Sequence, residues 1–218
     1  MKKIAGIITA LILLITALGI GIYLYVFSPI GTGLEDLNEK QEQSLCEQFT
    51  LGEKQEERYG LPLIEAAAVK IYGVEKSDDT AYVYGYCSNG IYVKFRGKAY
   101  DISGGNGDFK VKIKYNGDNV EILESYGDGV TAKSTLEESP LRYKIKSRLY
   151  EPYDSEGHCK LKQDTDKKAE AELGVPVETE YNLTIDIENN YYQISTYNDE
   201  TGEVDYKEKG SLKKNDIQ

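Results

Sequence analysis

The sequence is poor in the residues that metal and redox chemistry require. Its 218 residues include one histidine, three cysteines, one methionine and no tryptophan. Because a structural zinc ion takes its ligands mainly from cysteine and histidine, these counts leave little material for such a site. The motifs G-x-S-x-G and H-E-x-x-H, which mark serine hydrolases and zinc proteases, do not occur. The sequence therefore predicts no catalytic residue, no metal site and no cofactor.

Positive charge is also scarce. Lysine and arginine number 26 against 37 aspartates and glutamates, and the formal net charge is −11. A nucleic-acid-binding protein needs clustered basic residues to neutralise phosphates, so the composition excludes nucleic acid as a partner. Hydrophobic residues make up 40% of the chain, which is typical of a folded protein and not of a disordered tail.

The N-terminus carries a long apolar run. After residues 1–3, residues 4–30 form 27 positions without a charged side chain. This exceeds the roughly 20 residues that a helix needs to cross a bilayer. Lys2 and Lys3 precede the run and acidic residues follow it. The positive-inside rule therefore places residues 1–3 in the cytoplasm and the rest of the chain outside the cell.

A cleaved signal peptide is the alternative interpretation of this run. Signal peptides have a shorter apolar core, roughly 7–15 residues, and end at small residues. The run instead ends in Tyr23, Tyr25 and Phe27, aromatic residues of the kind found at membrane interfaces. We therefore expect a single-pass transmembrane anchor at 4–30 in the cell membrane, a cytoplasmic stub at 1–3, and an extracellular domain.

Residues 31–150 are predicted to form the α+β part of that domain. A helix is expected first, because Leu34, Leu37, Leu45 and Phe49 share one helical face and Gly52 follows as a C-cap. The pattern then changes to the alternation of β-strands.

The strands are predicted from alternation and from the turns between them. Residues 81–87 and 91–95 flank Ser88-Asn89-Gly90, which predicts a hairpin turn. A glycine-rich loop at 103–107 precedes two further strands at 109–115 and 120–122. Together they predict a twisted antiparallel meander with the helix packed on one face and water on the other.

The segment 141–149 fits two periods. Leu141, Ile145 and Leu149 have helical spacing, whereas the whole segment also alternates as a strand would. Ser139-Pro140 suits the start of a helix, which favours the helix.

Residues 151–210 are predicted to hold a short helix at 164–173 and a β-hairpin that turns at Asn189-Asn190. Because a lone hairpin is marginally stable, it either extends the first sheet or docks as a lobe beside it. Residues 211–218 are expected to be a flexible tail.

Part of the domain resembles a group of bacterial proteins. The runs Glu65–Gly73 and Tyr82–Cys87, the glycine-rich loop with its lysine-alternating strand, and Tyr126-Gly127-Asp128-Gly129 are similar to small exported or membrane-anchored proteins of Gram-positive bacteria. The resemblance spans about Leu34 to Tyr150. It implies a cystatin-like or NTF2-like roll, brings no catalytic residue with it, and leaves the hairpin region after Tyr150 outside.

Two sets of residues are candidate binding sites. Aromatic rows on sheets bind sugars or peptides, but tyrosine is also an ordinary strand former, so the first set has a packing alternative; it comprises Tyr82, Tyr84, Tyr86 and Tyr92. The second set is a basic cluster that either docks a partner or pairs with the protein's own carboxylates; it comprises Arg142, Lys144, Lys146 and Arg148.

Other chemistry-bearing residues have simpler interpretations. Burial of Cys46 and Cys87 as small hydrophobic residues is favoured over a Cys87–Cys159 disulfide. His158-Cys159 is expected in a surface loop, because sequence neighbours seldom reach the geometry of a catalytic pair. The glycine-rich stretch 104–108 and the acidic stretch 164–166 each resemble part of a calcium-binding motif, but they are interpreted as a loop and a helix start.

The leading functional hypothesis is a non-enzymatic, membrane-anchored domain that binds a protein or peptide partner in the cell envelope. The alternative is a module that binds cell-wall polysaccharide, or an envelope hydrolase that uses paired carboxylates. A third hypothesis is a structural spacer. No spacing of acidic residues singles out a catalytic pair.

Overall fold

The computed structural model describes residues 2–27, 37–50, 63–126, 139–150, 159–198, 201–213 and 216. The helices are α1 (Lys2–Phe27), α2 (Glu39–Gln48), α3 (Leu141–Tyr150) and α4 (Lys160–Leu173). The strands are β1 (Leu63–Ser77), β2 (Thr80–Phe95), β3 (Lys98–Asn116), β4 (Asn119–Tyr126), β5 (Asn182–Asp186), β6 (Tyr191–Asn198) and β7 (Glu203–Ser211).

Helix α1 is the apolar segment that the sequence predicted. Its stretch Ile7–Phe27 is long and apolar enough to cross a membrane. Its large side chains are exposed, as a lipid-facing helix requires, while Val26 near its end is buried. Residues 28–30 of the predicted anchor lie outside the described residues.

The described domain is α+β with two antiparallel sheets, which confirms the predicted class. The first sheet has the order β1-β2-β3-β4 and is a meander of sequential neighbours. The second has the order β5-β6-β7. In the first sheet β1 and β4 are therefore the edge strands.

Two predicted connections are wrong, because β2 and β3 run straight through them. The predicted turn Ser88-Asn89-Gly90 lies within β2 and pairs with residues 104–106 of the predicted loop. A Cβ on Gly104 would stand 2.4 Å from the Asn89 carbonyl oxygen. These glycines thus serve a close approach of two backbones, a role that glycine also has inside strands.

The first sheet is covered on both faces over β1 and β2, so the predicted wet face is confined to β3 and β4, where Lys110, Lys112 and Lys114 are half-buried and Glu121 is exposed. On one face, α2 packs over a core around Leu45, Val83, Val111 and Ile113. Farther along the same sheet, the face carrying Val93 and Phe95 packs against residues of the second sheet.

The opposite face is covered by α3 and α4. Tyr143 of α3 is fully buried, and its ring lies in a notch at Gly73, where a Cβ would stand 1.9 Å from the ring. From α4, Ala169 packs in a cluster with Tyr92 and Ala66. The strands predicted to be half-wet are therefore buried on both sides over much of their length.

The helices differ from prediction mainly at their ends. Helix α2 begins at Glu39 behind an Asn38 capping box that uses Gln41. The predicted cap Gly52 lies outside the described residues. Helix α4 begins at Lys160, one turn before the predicted start at 164. For 141–149 the helical alternative is confirmed, and the Pro140 carbonyl accepts the first helical hydrogen bond from Lys144 at 3.2 Å.

The C-terminal residues form a three-stranded sheet, in which β5 and β6 are the predicted hairpin and β7 is the third strand. It docks at the β2–β3 turn, where Arg96 lies 4.5 Å over the Tyr192 ring and binds Asp216 at 2.9 Å. Val177 adds a short parallel bridge to Ala99. Asp216 is buried, within the stretch that the sequence assigned to a tail.

Candidate functional site

A groove of about 820 Å³ opens between α2 and α4 along the edge of the first sheet. Its floor is the strand segment 65–69 of β1. Its walls are one stripe of each helix, with the three-to-four-residue spacing of a helical face. The α2 stripe comprises Glu39, Glu42, Gln43, Cys46 and Glu47, and the α4 stripe comprises Leu161, Asp164, Lys168 and Glu172.

Small residues explain why the groove forms here. Ala66, Ala67 and Ala68 are buried, yet their side chains end at Cβ. Helix α2 packs on one face of β1 and helix α4 on the other. Because the two helices straddle an edge strand with short side chains, a furrow is left between them. Larger residues in this stretch would fill it.

The floor is the outer backbone edge of β1. Among the described strands only β2 pairs with β1, and it does so along the other edge. The outer edge is met by side chains instead, since Lys168 Nζ donates to the Ala67 carbonyl at 2.6 Å and the Val69 backbone N–H donates to the Cys46 thiol. Alternate residues of a strand direct their backbone groups the same way, so Glu65, Ala67 and Val69 share this edge.

The walls are strongly anionic. Six carboxylates line the groove, and Lys168 is the basic residue among its described lining residues; the carboxylates are those of Glu39, Glu42, Glu47, Glu65, Asp164 and Glu172. Within the described ranges no three acidic, histidine or cysteine side chains converge as a metal site requires. The surplus of carboxylates over Lys168 makes the electrostatic field of the groove attractive to cationic groups.

The three cysteines are free thiols. Cys46 is buried and Cys87 half-buried, as the packing interpretation expected, whereas Cys159, expected in a surface loop, is buried at the start of α4. Burial raises the pKa of the Cys46 thiol, against an opposing effect of Lys168. Burial also raises the pKa of Cys87, to about 11. A thiol held neutral is a poor nucleophile, so neither position suits catalysis. His158 lies outside the described residues.

The tyrosine row lies under the helices and not on an open surface. Tyr84, Tyr86 and Tyr92 are buried, and Tyr82 is half-buried. The Tyr84 ring stacks on Tyr143 at 4.9 Å. These tyrosines therefore have the packing role, because their ring faces contact other residues of the protein.

The hydroxyls of the row are used internally as well. Tyr84 donates to Glu75 at 3.1 Å, Tyr86 to Asn106 at 2.6 Å, and Tyr92 to Asp166 at 2.7 Å. Burial, followed by these partners, raises the pKa of Tyr84 and Tyr92. The Tyr92 hydroxyl thus ties β2 to α4, whereas the hydroxyls of Tyr84 and Tyr86 bind residues of neighbouring strands in the same sheet.

A polar network holds α4 to the sheet beside Tyr92. Lys162 Nζ lies 2.5 Å from Asp166, 2.8 Å from Asp101 and 2.7 Å from the Tyr92 hydroxyl. Burial raises the pKa of Asp101, and Lys162 opposes that rise. One cation thus bridges a helix and two strands, which positions the α4 wall of the groove.

The predicted basic cluster is divided by the helix that carries it. Alternate residues of a helix point to opposite sides, so Arg142 and Lys146 separate from Lys144 and Arg148. The Arg142 side chain is only 11% exposed and lies 3.5 Å from Glu75. Arg148 is exposed, whereas Lys144 and Lys146 are half-buried. For Arg142 the second predicted alternative applies, because this side chain pairs with a carboxylate of the protein itself.

Comparison with protein-family models, curated proteins and solved structures finds no match for this chain. The site is therefore defined by its own geometry. The sequence analysis did not predict the groove, although the sequence contains two signals for it. They are the alanine triplet at 66–68 and the glutamates that recur at helical spacing within residues 39–47.

Proposed function

We propose that this chain is a non-enzymatic, membrane-anchored domain that binds a protein or peptide partner in the cell envelope. The observation that carries the proposal is the edge of β1 that no described strand joins, at the floor of an acidic groove. We assign the groove to an extended, basic segment of the partner. The resemblance to cystatin-like or NTF2-like rolls stays a prediction.

Strand addition is the binding mode that suits this geometry. An extended peptide that joins a sheet edge gains main-chain hydrogen bonds, and flanking pockets select its side chains. The segment 65–69 offers about 15 Å of edge at roughly 3.3 Å per residue. A partner strand would replace Lys168 at the Ala67 carbonyl, and its own cations would lie between the carboxylates of α2 and α4.

The proposed location of the groove outside the cell rests on the N-terminal helix and the charges that flank its apolar stretch. Lys2 and Lys3 are the first residues of α1, before its apolar stretch, and the chain after the helix is rich in acid. The positive-inside rule then directs the groove to the outer face of the membrane. There the carboxylates repel anionic surfaces and attract cationic segments.

The test measures binding of a fluorescein-labelled peptide of alternating lysine and valine to the full-length protein in detergent micelles, by fluorescence anisotropy. Two peptides serve as ligand controls. One replaces lysine with glutamate, and the other keeps the lysines but replaces valine with proline, which cannot complete a strand ladder. We expect binding of the first peptide alone, and weaker binding at high salt.

Matched variants separate the groove from general surface charge. The triple variant Glu39→Gln, Glu47→Gln and Glu172→Gln should weaken binding about tenfold, since exposed charge pairs contribute roughly 0.2–1 kcal/mol each. The control triple Glu121→Gln, Glu188→Gln and Glu203→Gln removes the same charge elsewhere and should not. Equal binding of the lysine–proline peptide would overturn strand addition, and equal loss in both triples would overturn the groove.

A further inference from the structure

Helix α3 differs in charge from the rest of the domain. Residues 141–150 contain four basic residues and no acidic one, in a chain whose net charge is −11. Arg142 is committed to Glu75, but Arg148 is exposed. The segment thus forms a positive surface on a molecule that anionic surfaces otherwise repel.

The position of α3 relates it to the membrane. Val26, at the end of α1, is buried, and Phe27 lines a cavity of about 310 Å³ together with Leu149 and Tyr150 of α3. Since Ile7–Phe27 is the stretch suited to cross the bilayer, its last residues mark the level of the lipid headgroups. The Leu149 end of α3 therefore lies at that level.

The outer face of α3 is apolar and flanked by charge. Leu141 and Leu149 are each 62% exposed, and Ile145 lies between them at the same helical spacing. At 100° per residue, Arg148 falls beside Leu141 on this face, while Tyr143 faces the sheet. Leucines on the exposed side of a helix suit burial at the boundary of headgroups and acyl chains, and a neighbouring cation suits pairing with anionic lipid.

We propose that α3 lies flat on the membrane that holds α1, with Leu141 and Leu149 among the lipid headgroups and Arg148 paired with anionic phospholipid. The proposal rests on the membrane anchoring proposed above, and it does not depend on the groove. The occupant is the anionic bilayer surface, because the charge of α3 is complementary to it and its apolar side continues from the end of α1. This contact would fix how the acidic domain stands above the membrane.

The absence of tryptophan allows a clean test. Leu141→Trp, Leu149→Trp and Leu123→Trp each place one reporter in the full-length protein. Leu123 lies on β4 and is the exposed control. The variants are reconstituted in phosphatidylcholine vesicles with and without phosphatidylglycerol, and quenching by brominated phosphatidylcholine is measured. Flotation with the vesicles establishes that α1 is anchored, so failure of the anchor is distinguished from failure of the α3 contact.

The expected result is a blue-shifted emission and loss of at least half of the intensity at both 141 and 149, but not at 123. Adding Arg148→Glu to the Leu141→Trp variant should reduce the quenching in vesicles that contain phosphatidylglycerol to the level measured in phosphatidylcholine alone. The proposal is overturned if the Leu141→Trp reporter is quenched no more than the Leu123→Trp control, because α3 then touches lipid only beside α1. Equal quenching without phosphatidylglycerol would overturn the role of anionic lipid.

Discussion

Replacing Tyr143 with alanine tests how α3 is held to the sheet. Tyr143 is fully buried, stacks on Tyr84 at 4.9 Å, and lies in the notch at Gly73, whereas Leu141 and Leu149 face outward. A buried aromatic residue replaced by alanine costs about 3–5 kcal/mol. For a domain of this size each kcal/mol lowers Tm by about 2–4 °C, so the change predicts a loss of about 6–20 °C.

The notch supplies a matched variant. A Cβ on Gly73 would stand 1.9 Å from the Tyr143 ring, so Gly73→Ala must displace the ring or the strand and should cost about 1–3 kcal/mol or more. In the double variant Gly73→Ala, Tyr143→Ala the added methyl group enters space that the ring has left. We therefore expect the double variant to be no less stable than Tyr143→Ala alone, a coupling of about 1–3 kcal/mol.

The assay is urea unfolding of the full-length protein in detergent micelles, followed by near-ultraviolet circular dichroism of the tyrosines. The slope of the unfolding free energy against urea should stay unchanged if only stability changes. Additive effects of the two substitutions would refute the reasoning, because they would mean that the Gly73 notch and the Tyr143 ring do not meet.

Two further predictions test the sheet and its C-terminal attachment. Gly104→Ala places a methyl group 2.4 Å from the Asn89 carbonyl oxygen and should lower the free energy of unfolding in urea by about 1–3 kcal/mol. In the control Gly107→Ala the methyl group meets nothing within 4 Å, so the free energy of unfolding should change by no more than about 0.5 kcal/mol. Equal, small effects of the two substitutions would contradict the strand pairing and support the predicted loop at 103–107. Arg96 lowers the pKa of the Asp216 carboxyl, so the pair stabilises the fold above the ordinary carboxyl pKa of about 4, and this contribution disappears as pH falls through the lowered value. The stability difference between the wild type and Arg96→Met should therefore shrink in acid, and a difference that is constant from neutral pH to pH about 2 would contradict this assignment.

The groove and α3 place two opposite charges on one domain. The groove is bordered by α2 and α4 and carries six carboxylates, whereas α3 carries only basic charge. If α3 lies on the membrane, an anionic surface holds one part of the domain while the groove keeps its attraction for cationic segments. Binding at the groove and contact at α3 are therefore expected to be separable by the variants described above.

Local sequence determined the elements whose signals are local. The apolar run gave α1 directly, because a helix in lipid needs only length and apolar side chains. The predicted strands at 109–115 and 120–122 are confirmed as parts of β3 and β4, with Gly117 at φ +68 in the turn between them. The helix at 141–150 followed from Ser139-Pro140 even though its apolar stripe turned out to face outward.

Where one residue type suits two structural roles, only the tertiary structure shows which role the residue has. Glycine permits both turns and close contact of strands, and only the pairing of Gly90 with Gly104 shows which applies. Tyrosine suits both a binding surface and a core. The burial of Tyr84 and Tyr92 depends on α3 and α4, which are distant from them in sequence.

The sequence by itself determined the apolar N-terminal segment, the acidic surface, and an α+β domain with antiparallel strands. Only the tertiary structure decided that both faces of β1 and β2 are covered, that the edge of β1 forms the floor of a groove, and that α3 lies beside the end of α1. The physical reason is that periodicity records which side of an element is apolar, but not which distant element packs on that side.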